Sequence, residues 1–265
     1  QIELPKGKAD FDRTDPQYVE LMQNKTQKKG VTLLLDADSL VWSSCYDKET
    51  SDYHTDIEEA AKKYDESIDS IVNTLSLKLD IENLITFNGS RGNFRKFIGS
   101  NNVYKANREK TKRPEILNEL HDYVNVNYDG IRGYGVETDD MVATKWANLS
   151  EEMGRENVII ISIDKDYRQL PCLLYNYHPK HDVIYDISEE EARHNFYKQM
   201  LCGDSSDNIN FLTGKGEAYF KKHFSKCQSD FQYMKKLYVL FKEKYKSKSR
   251  EKYIECHNLL KLRRE

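Results

Sequence analysis

Two short runs, VTLLLD at Val31–Asp36 and VIIISID at Val158–Asp164, constrain the fold more than any other part of the chain. Both are apolar at successive positions, where a half-buried strand would alternate. Such a run predicts a strand covered on both faces, as in a parallel sheet held between helical layers. The rest of the pattern agrees. Asp56–Leu79 places Ile57, Ala60, Ala61, Tyr64, Ile68, Ile71, Val72 and Leu75 at helical spacing, NLITFNG reads as a second strand ending at Gly89, and Pro114 opens a further helix. Phe231–Phe241 reads as an amphipathic helix, and Trp42 and Trp146 are expected to pack on the sheet. The expected class is α/β, a central and mostly parallel sheet flanked by helices. Ligands of such sheets bind beyond the carboxyl ends of the strands, so Asp36 and Asp164 are expected at one common rim.

Composition narrows what such a rim could serve. The 265 residues are 38% hydrophobic and 32% charged, enough for one large domain or a domain with an attached subdomain. No apolar run approaches the roughly 18 residues that cross a bilayer, and no charged-then-apolar leader precedes a cleavage site. The expectation is a soluble, cytoplasmic chain with no membrane partner. Cys45, Cys172, Cys202, Cys227 and Cys256 are odd in number and never form CxxC, which predicts reduced thiols and neither a disulfide framework nor a zinc site. The net charge of −3 argues against a uniformly basic nucleic-acid binder, yet the charges are segregated. YKANREKTKR, Tyr104–Arg113, carries Lys105, Arg108, Lys110, Lys112 and Arg113 against Glu109 alone. Basic residues again outnumber acids from Lys235 onward, where solvated helix faces account for them equally well.

The acids gather in four short motifs: Asp36 after the first strand, Glu137, Asp139 and Asp140 in VETDD, Asp164 and Asp166 in SIDKD, and Asp204 and Asp207 in GDSSDN. Taken singly each is ordinary. Asp is common at strand ends and turns, and VETDD reads as a helix start in which Thr138 caps the free amides and the acids meet the dipole. Taken together, the four would repel one another at one rim unless a counter-charge were present. Hard divalent cations supply one, and with no His or Cys cluster to compete, magnesium or manganese is expected. Two such ions roughly 3.5–4 Å apart can hold a phosphodiester, acidify a water and stabilise the departing oxygen. The basic Tyr104–Arg113 segment would then grip the phosphates, with Lys105 and Arg108 sharing a face if it is helical, and Tyr104 stacking on a base or terminal sugar.

LLLDADSLVW, YKANR, VETDD, SIDKD and GDSSDN occur in the order found in the 5′ nuclease family of flap endonucleases, polymerase 5′-nuclease domains and phage 5′-to-3′ exonucleases. The chain resembles the phage exonucleases most, through YKANR, DKD and the Phe94-Arg95-Lys96 before them, over about Val31–Phe224. The resemblance implies an N-terminal extension at 1–30, an α/β nuclease core at 31–200 with a helical arch at 89–114, and a helix-three-turn-helix with a C-terminal helical region at 201–265. Asp36, Glu137, Asp139, Asp164, Asp166, Asp204 and Asp207, with Asp140 adjoining, match the metal-site acids, and Tyr104, Lys105 and Arg108 match the base of the arch. Arg91, Arg95, Lys96, Lys110, Lys112 and Arg113 are expected to contact DNA, as are Gly214, Lys215, Gly216, Lys221 and Lys222 in the hairpin region. The implied activity is magnesium- or manganese-dependent hydrolysis, by two ions, of duplex DNA ends or 5′ flaps during phage replication or DNA degradation. The resemblance also allows RNA–DNA hybrids as substrates, a potassium ion at the hairpin, and a replication polymerase or single-strand-binding protein as partner in a host cytoplasm.

The chain departs from the family pattern in places. Many flap endonucleases carry an acid just after the second strand, where this chain has Asn88 and Gly89, and in the hairpin Phe211 and Ala218 replace a glycine and a lysine. Asp38 is not a general ligand and is read as an outer-shell or strand-end residue. LLLDADSL also resembles the signature of haloacid-dehalogenase-type phosphatases, with Asp36 as nucleophile and Asp38 as general acid, but this leaves VETDD, SIDKD and the basic segment unexplained. The same residues are compatible with a structure-specific DNA-binding protein of little catalytic power, given the missing acid at Asn88 and Gly89, and with a PIN-type ribonuclease, which shares the acidic rim but ordinarily lacks the arch and the hairpin.

Overall fold

β2 (Lys28–Asp36) is the strand on which the sheet is built, because it has a parallel neighbour on each side: β5 (Leu79–Phe87) and β6 (Val158–Ile161). This computed structural model describes residues 2–3, 28–98, 103–110 and 112–264, so nearly all of the expected N-terminal extension lies outside the described residues. β7 (Leu173–Asn176) continues the parallel set beside β6, and β8 (Val183–Asp186) and β1 (Ile2–Glu3) add antiparallel pairs at that edge. The six-stranded order is β1-β8-β7-β6-β2-β5. A separate two-stranded ribbon pairs β3 (Tyr46–Asp47) with β4 (Asp52–Tyr53). The chain leaves β2 toward β5 on one side and returns to β6 on the other, so the sheet reverses its winding between β2 and β6. Ligand crevices open at the carboxyl ends of such a pair.

The apolar runs become strands because each face of the sheet has its own helices. Leu33, Leu35, Ile159 and Ile161 share one core with α1 (Asp38–Ser44), α2 (Ile57–Ser76) and α3 (Leu117–Asn127). Leu34, Val158 and Ile160, one position out of phase, share another with Val142, Ala143 and Trp146 of α4 (Thr138–Met153). Each fully buried Leu or Ile contributes roughly 1.5–3 kcal/mol relative to exposure, so the strand assignment is enforced from both sides. α2 is capped by Asp56, which accepts from the Glu58 amide at 2.9 Å, and it ends at Ser76, where a turn leads into β5. Pro114 lies in the turn before α3 rather than inside it.

A third core joins α5 (Glu189–Cys202), α6 (Glu217–Phe224), α7 (Asp230–Tyr245) and α8 (Ser249–Leu260) through Phe196, Phe220, Phe224, Tyr233, Phe241 and Cys256. Among the described residues of 89–114 there are two short 3-10 turns, Phe94–Phe97 and Ala106–Lys110, and no α-helix. Trp146 packs on the sheet as expected, whereas Trp42 is 37% exposed and meets the ring of Tyr53 edge-on. The five cysteines are free, and no helix among the described residues is long and apolar enough to cross a membrane.

Candidate metal centre

Four elements deliver acids to the reversal point of the sheet. Asp36 is the last residue of β2, and its Oδ2 accepts from the Tyr167 hydroxyl at 2.8 Å and from Ser162 Oγ at 3.4 Å. Asp164 follows β6 and caps the 3-10 turn Lys165–Gln169 by accepting from the Asp166 amide at 2.9 Å. Gln199 of α5 donates to Asp166 at 2.7 Å. Glu137 and Asp139 open α4. Asp207 comes from a tight loop closed by paired backbone bonds between Asp204 and Ile209 and entered through Gly203 at φ +76°, a conformation that glycine adopts without strain.

These side chains line a cleft of about 150 Å³ whose walls carry seven carboxylates, Asp36, Asp38, Glu137, Asp139, Asp164, Asp166 and Asp207, against two cations, Lys105 and Arg108. The imbalance is visible in the proton affinities. Burial, then the charges of Asp38 and Asp164, push Asp36 up to about 7. Burial, then Asp164 and Asp204, push Asp166 to about 7 as well. Asp139 is driven well above the carboxylate range by burial and by Glu137 and Asp140. Burial also raises Asp207, against the opposing pull of Lys105 and Arg108. Burial alone would disfavour the Lys105 ammonium, but Glu137 and Asp207 outweigh it and hold its pKa above the usual value.

Such a donor set fits hard divalent cations: every ligand atom offered is a carboxylate or hydroxyl oxygen, and among the described residues the carboxylates that line the cleft outnumber the cations that line it seven to two. Glu137, Asp139 and Asp140 bring one oxygen each within 4.8 Å of one another, a cluster able to chelate a divalent ion. Both oxygens of Asp140, however, already accept from Arg95, at 2.5 and 2.8 Å. Asp204 is likewise set back from the cleft. Burial opposes its ionisation, but hydrogen bonds from Lys165, Ser206 and Gln199 outweigh this and hold its carboxyl below the usual range.

The basic residues depart from expectation in instructive ways. Lys105 is not helical: it stands before the Ala106–Lys110 turn at φ +57°, with its ammonium bonded to Glu137 and 3.7 Å from Asp207. Arg108 donates to Asp207 at 2.6 Å, so the two cations meet at Asp207 without sharing an α-helical face. Tyr104 is 6% exposed and cannot stack on a base. Its hydroxyl lies 2.8 Å from Glu137 and 2.9 Å from Asp207, with one proton to serve both, and burial with these two charges pushes its pKa far up. Thr138 does not cap α4. Its hydroxyl donates to Asp38 at 2.7 Å, and the other oxygen of Asp38 accepts from the Gly89 amide at 2.7 Å. With both oxygens accepting, Asp38 ties the turn after β5 to the start of α4, and the general-acid role expected in a phosphatase loses its free carboxyl.

No family model matches the sequence, and no curated protein does either. Solved structures do. The bacteriophage T5 flap endonuclease, in a complex with DNA and metal ions, superposes with a TM-score of 0.59 at 17% identity, covering 87% of this chain and 89% of that one. A bacteriophage T5 5′-exonuclease variant gives 0.60 at 15% identity over 88% and 89%, and a zinc-bound form gives 0.60 at 18% over 87% of each. The chain shares the fold of these bacteriophage T5 structures. At these identities the likeness is one of architecture, a mixed α/β fold with a mostly parallel sheet between helices.

The remaining expected residues divide by exposure. Arg91, Lys96, Lys112 and Arg113 are exposed, with Lys112 paired to Asp52 at 3.1 Å and Arg113 bonded to Asn118 at 2.8 Å; the side chain of Lys110 lies outside the described residues. Arg95 is the clear correction: at 2% exposure it is among the largest fully buried side chains and has no surface to offer DNA. Gly214 adopts φ +80°, Gly216 precedes α6, Lys215 lies over the Tyr219 ring, and Lys221 and Lys222 are exposed on α6. Asn88 is fully buried, with its amide bonded to the His121 carbonyl at 2.9 Å and to Asn125 at 3.2 Å, so the position where an acid is absent holds a neutral network. Sequence reasoning missed Ser162, Tyr167 and Gln199, the neutral donors that hold the acids in place. Tyr167 directly follows SIDKD and carried a usable signal; Gln199 carried none, since it meets Asp166 from 33 residues away.

Proposed function

We propose that this protein is a divalent-metal-dependent 5′ nuclease that hydrolyses phosphodiester bonds of DNA at duplex ends or 5′ flaps. The observation that carries the reading is the convergence of four separated acidic motifs on one cleft faced by Lys105 and Arg108. Asp36, Glu137, Asp139, Asp164, Asp166 and Asp207 would hold one or two magnesium or manganese ions. Bound ions would supply Lewis acidity toward a phosphate and the charge that offsets the carboxylates.

The chain's own groups do the rest. Burial and neighbouring carboxylates raise Asp36 and Asp166 to about 7, so both hold or release a proton near neutrality, and bound cations would favour the released form. Lys105 pairs with Glu137 and Arg108 with Asp207, beside the buried Arg95, which also reaches Glu137. With those acids compensated by bound ions, Lys105 and Arg108 would be free to turn to phosphate oxygens and to stabilise the charge that develops there. Tyr104 fixes the separation of Glu137 and Asp207 from behind. The exposed Arg91, Lys96, Lys112, Lys221 and Lys222 would hold the backbone further out.

Cleavage of 5′-labelled and 3′-labelled duplex and flap DNAs, in magnesium, manganese and chelator, with binding measured in calcium, tests the proposal. Metal-dependent products released from the 5′ side are expected. Binding without scission in any metal would overturn it in favour of a structure-specific DNA-binding protein.

A further inference from the structure

We infer that Arg95 is a positioning residue that makes the C-terminal segment Leu259–Arg263 part of the metal centre, an inference that rests on the metal-centre reading above. Arginine has five N–H donors, and each of Arg95's has an acceptor. Nε donates to the Leu259 carbonyl at 3.0 Å, Nη1 to Glu137 at 3.0 Å and Asp140 at 2.5 Å, and Nη2 to Asp140 at 2.8 Å and the Lys261 carbonyl at 2.9 Å. Asp140, itself 2% exposed, also accepts from the Arg263 amide at 3.0 Å. Asp140 is thus a buried counter-ion that accepts three hydrogen bonds, two of them from Arg95, and through Arg95 it is tied to the carboxylate of Glu137.

The same segment holds the other group of acids. Gln169, at the end of the turn that Asp164 caps, donates to the Leu260 carbonyl at 2.9 Å and accepts from the Leu262 amide at 3.0 Å. Five consecutive residues therefore bind the start of α4 through Arg95 and the Asp164–Gln169 turn through Gln169. These two elements carry four of the acids that line the cleft, Glu137 and Asp139 on the first and Asp164 and Asp166 on the second. The C-terminal segment is a strap that sets their separation, and ion affinity depends on it although none of its side chains lines the cleft.

The test measures Mn2+ binding by loss of the free-ion electron paramagnetic signal, together with thermal stability and DNA binding in calcium. Arg95→Lys conserves the charge but cannot reach five acceptors, so it isolates geometry from electrostatics. Gln169→Ala loosens the strap at its other end and keeps the reading available if Arg95→Lys does not fold. The strap predicts that each variant weakens Mn2+ at least tenfold and lowers kcat, with KM and DNA affinity within twofold of the parent. A fall in stability with Mn2+ affinity unchanged in both variants would reduce the strap to packing and overturn the inference. Weakened DNA binding with unchanged Mn2+ affinity would make Arg95 a DNA contact and overturn it equally. A parent protein that binds no Mn2+ would overturn the metal-centre reading itself, an outcome distinguishable from the other two.

Discussion

Removing divalent ions should make this protein more stable at pH 5 than at pH 8, after one opposing contribution is subtracted. Asp36 has a folded-state pKa of about 7 against an ordinary value of 3.8, chiefly because it is buried. Between these values the folded chain holds a proton that the unfolded chain has lost. Stability from this group is therefore fully present below pH 3.8 and is lost as pH rises through 7. A window of about three pH units at 1.36 kcal/mol each gives roughly 4 kcal/mol for Asp36 alone. Asp166 acts in the same direction and window. Asp204 and Asp230, lowered by their partners, contribute only below the ordinary carboxylate range. The opposing contribution comes from His121, His194 and His257, whose burial lowers their pKa, so they cost stability as pH falls through 6.5. His194 and His257 have no cleft acid among the causes of their shifts, so the difference between magnesium and chelator removes them, whereas His121 feels Asp38 of the cleft and is kept as a separate contribution. Between pH 8 and pH 5 only about two of those units are crossed, so denaturant unfolding in both conditions should show a magnesium-dependent gap that narrows by about 3 kcal/mol for Asp36 alone on acidification. In chelator at pH 8, Asp36→Asn should raise stability by about 2–4 kcal/mol, since Asn can still accept from Tyr167. A gap equal at both pH values, or an Asp36→Asn protein less stable than its parent at pH 8, would refute the reasoning.

Three further outcomes are expected. Asp164→Asn can keep the bond from the Asp166 amide, so its melting temperature should stay within a few degrees while metal-dependent cleavage falls by about 10³ or more; an active variant would remove Asp164 from the ion-binding set. Lys105→Ala should lower cleavage by roughly 10²–10³ and leave duplex affinity in calcium nearly unchanged, and equal losses in both would reduce Lys105 to a backbone contact. Gly203→Ala places a Cβ on the Ile209 carbonyl oxygen at φ +76°, so it should destabilise by about 2 kcal/mol or more and weaken Mn2+ binding by displacing the loop that carries Asp207; a stable variant with parental Mn2+ affinity would show that the loop tolerates rearrangement.

What was legible in the sequence and what was not follows from where the forces act. The strands could be read because burial on both faces leaves a local trace: Leu33 and Leu35 need one core, Leu34 another, and no other arrangement of an apolar run satisfies both. The acids could be read for a related reason. Seven carboxylates cannot be carried by one segment without self-repulsion in the unbound chain, so they arrive on separate elements, and the sheet reversal between β2 and β6 is what gathers them. Counter-charges leave no such trace. Arg95 sits between Phe94 and Lys96 and reads as a surface cation, yet its Nε partner is 164 residues away, on a segment whose own letters announce nothing. Tyr104 reads as an exposed ring beside Lys105, but it is buried because its hydroxyl is needed between two carboxylates from different motifs. Thr138 reads as a cap and is drawn off by Asp38, 100 residues earlier. In each case the sequence reveals the group that must be gathered and conceals the group that holds it. A site built from repelling charges depends most on residues of the second kind, and for this reason substitutions at Arg95 and Gln169 probe the centre as directly as substitutions of the acids.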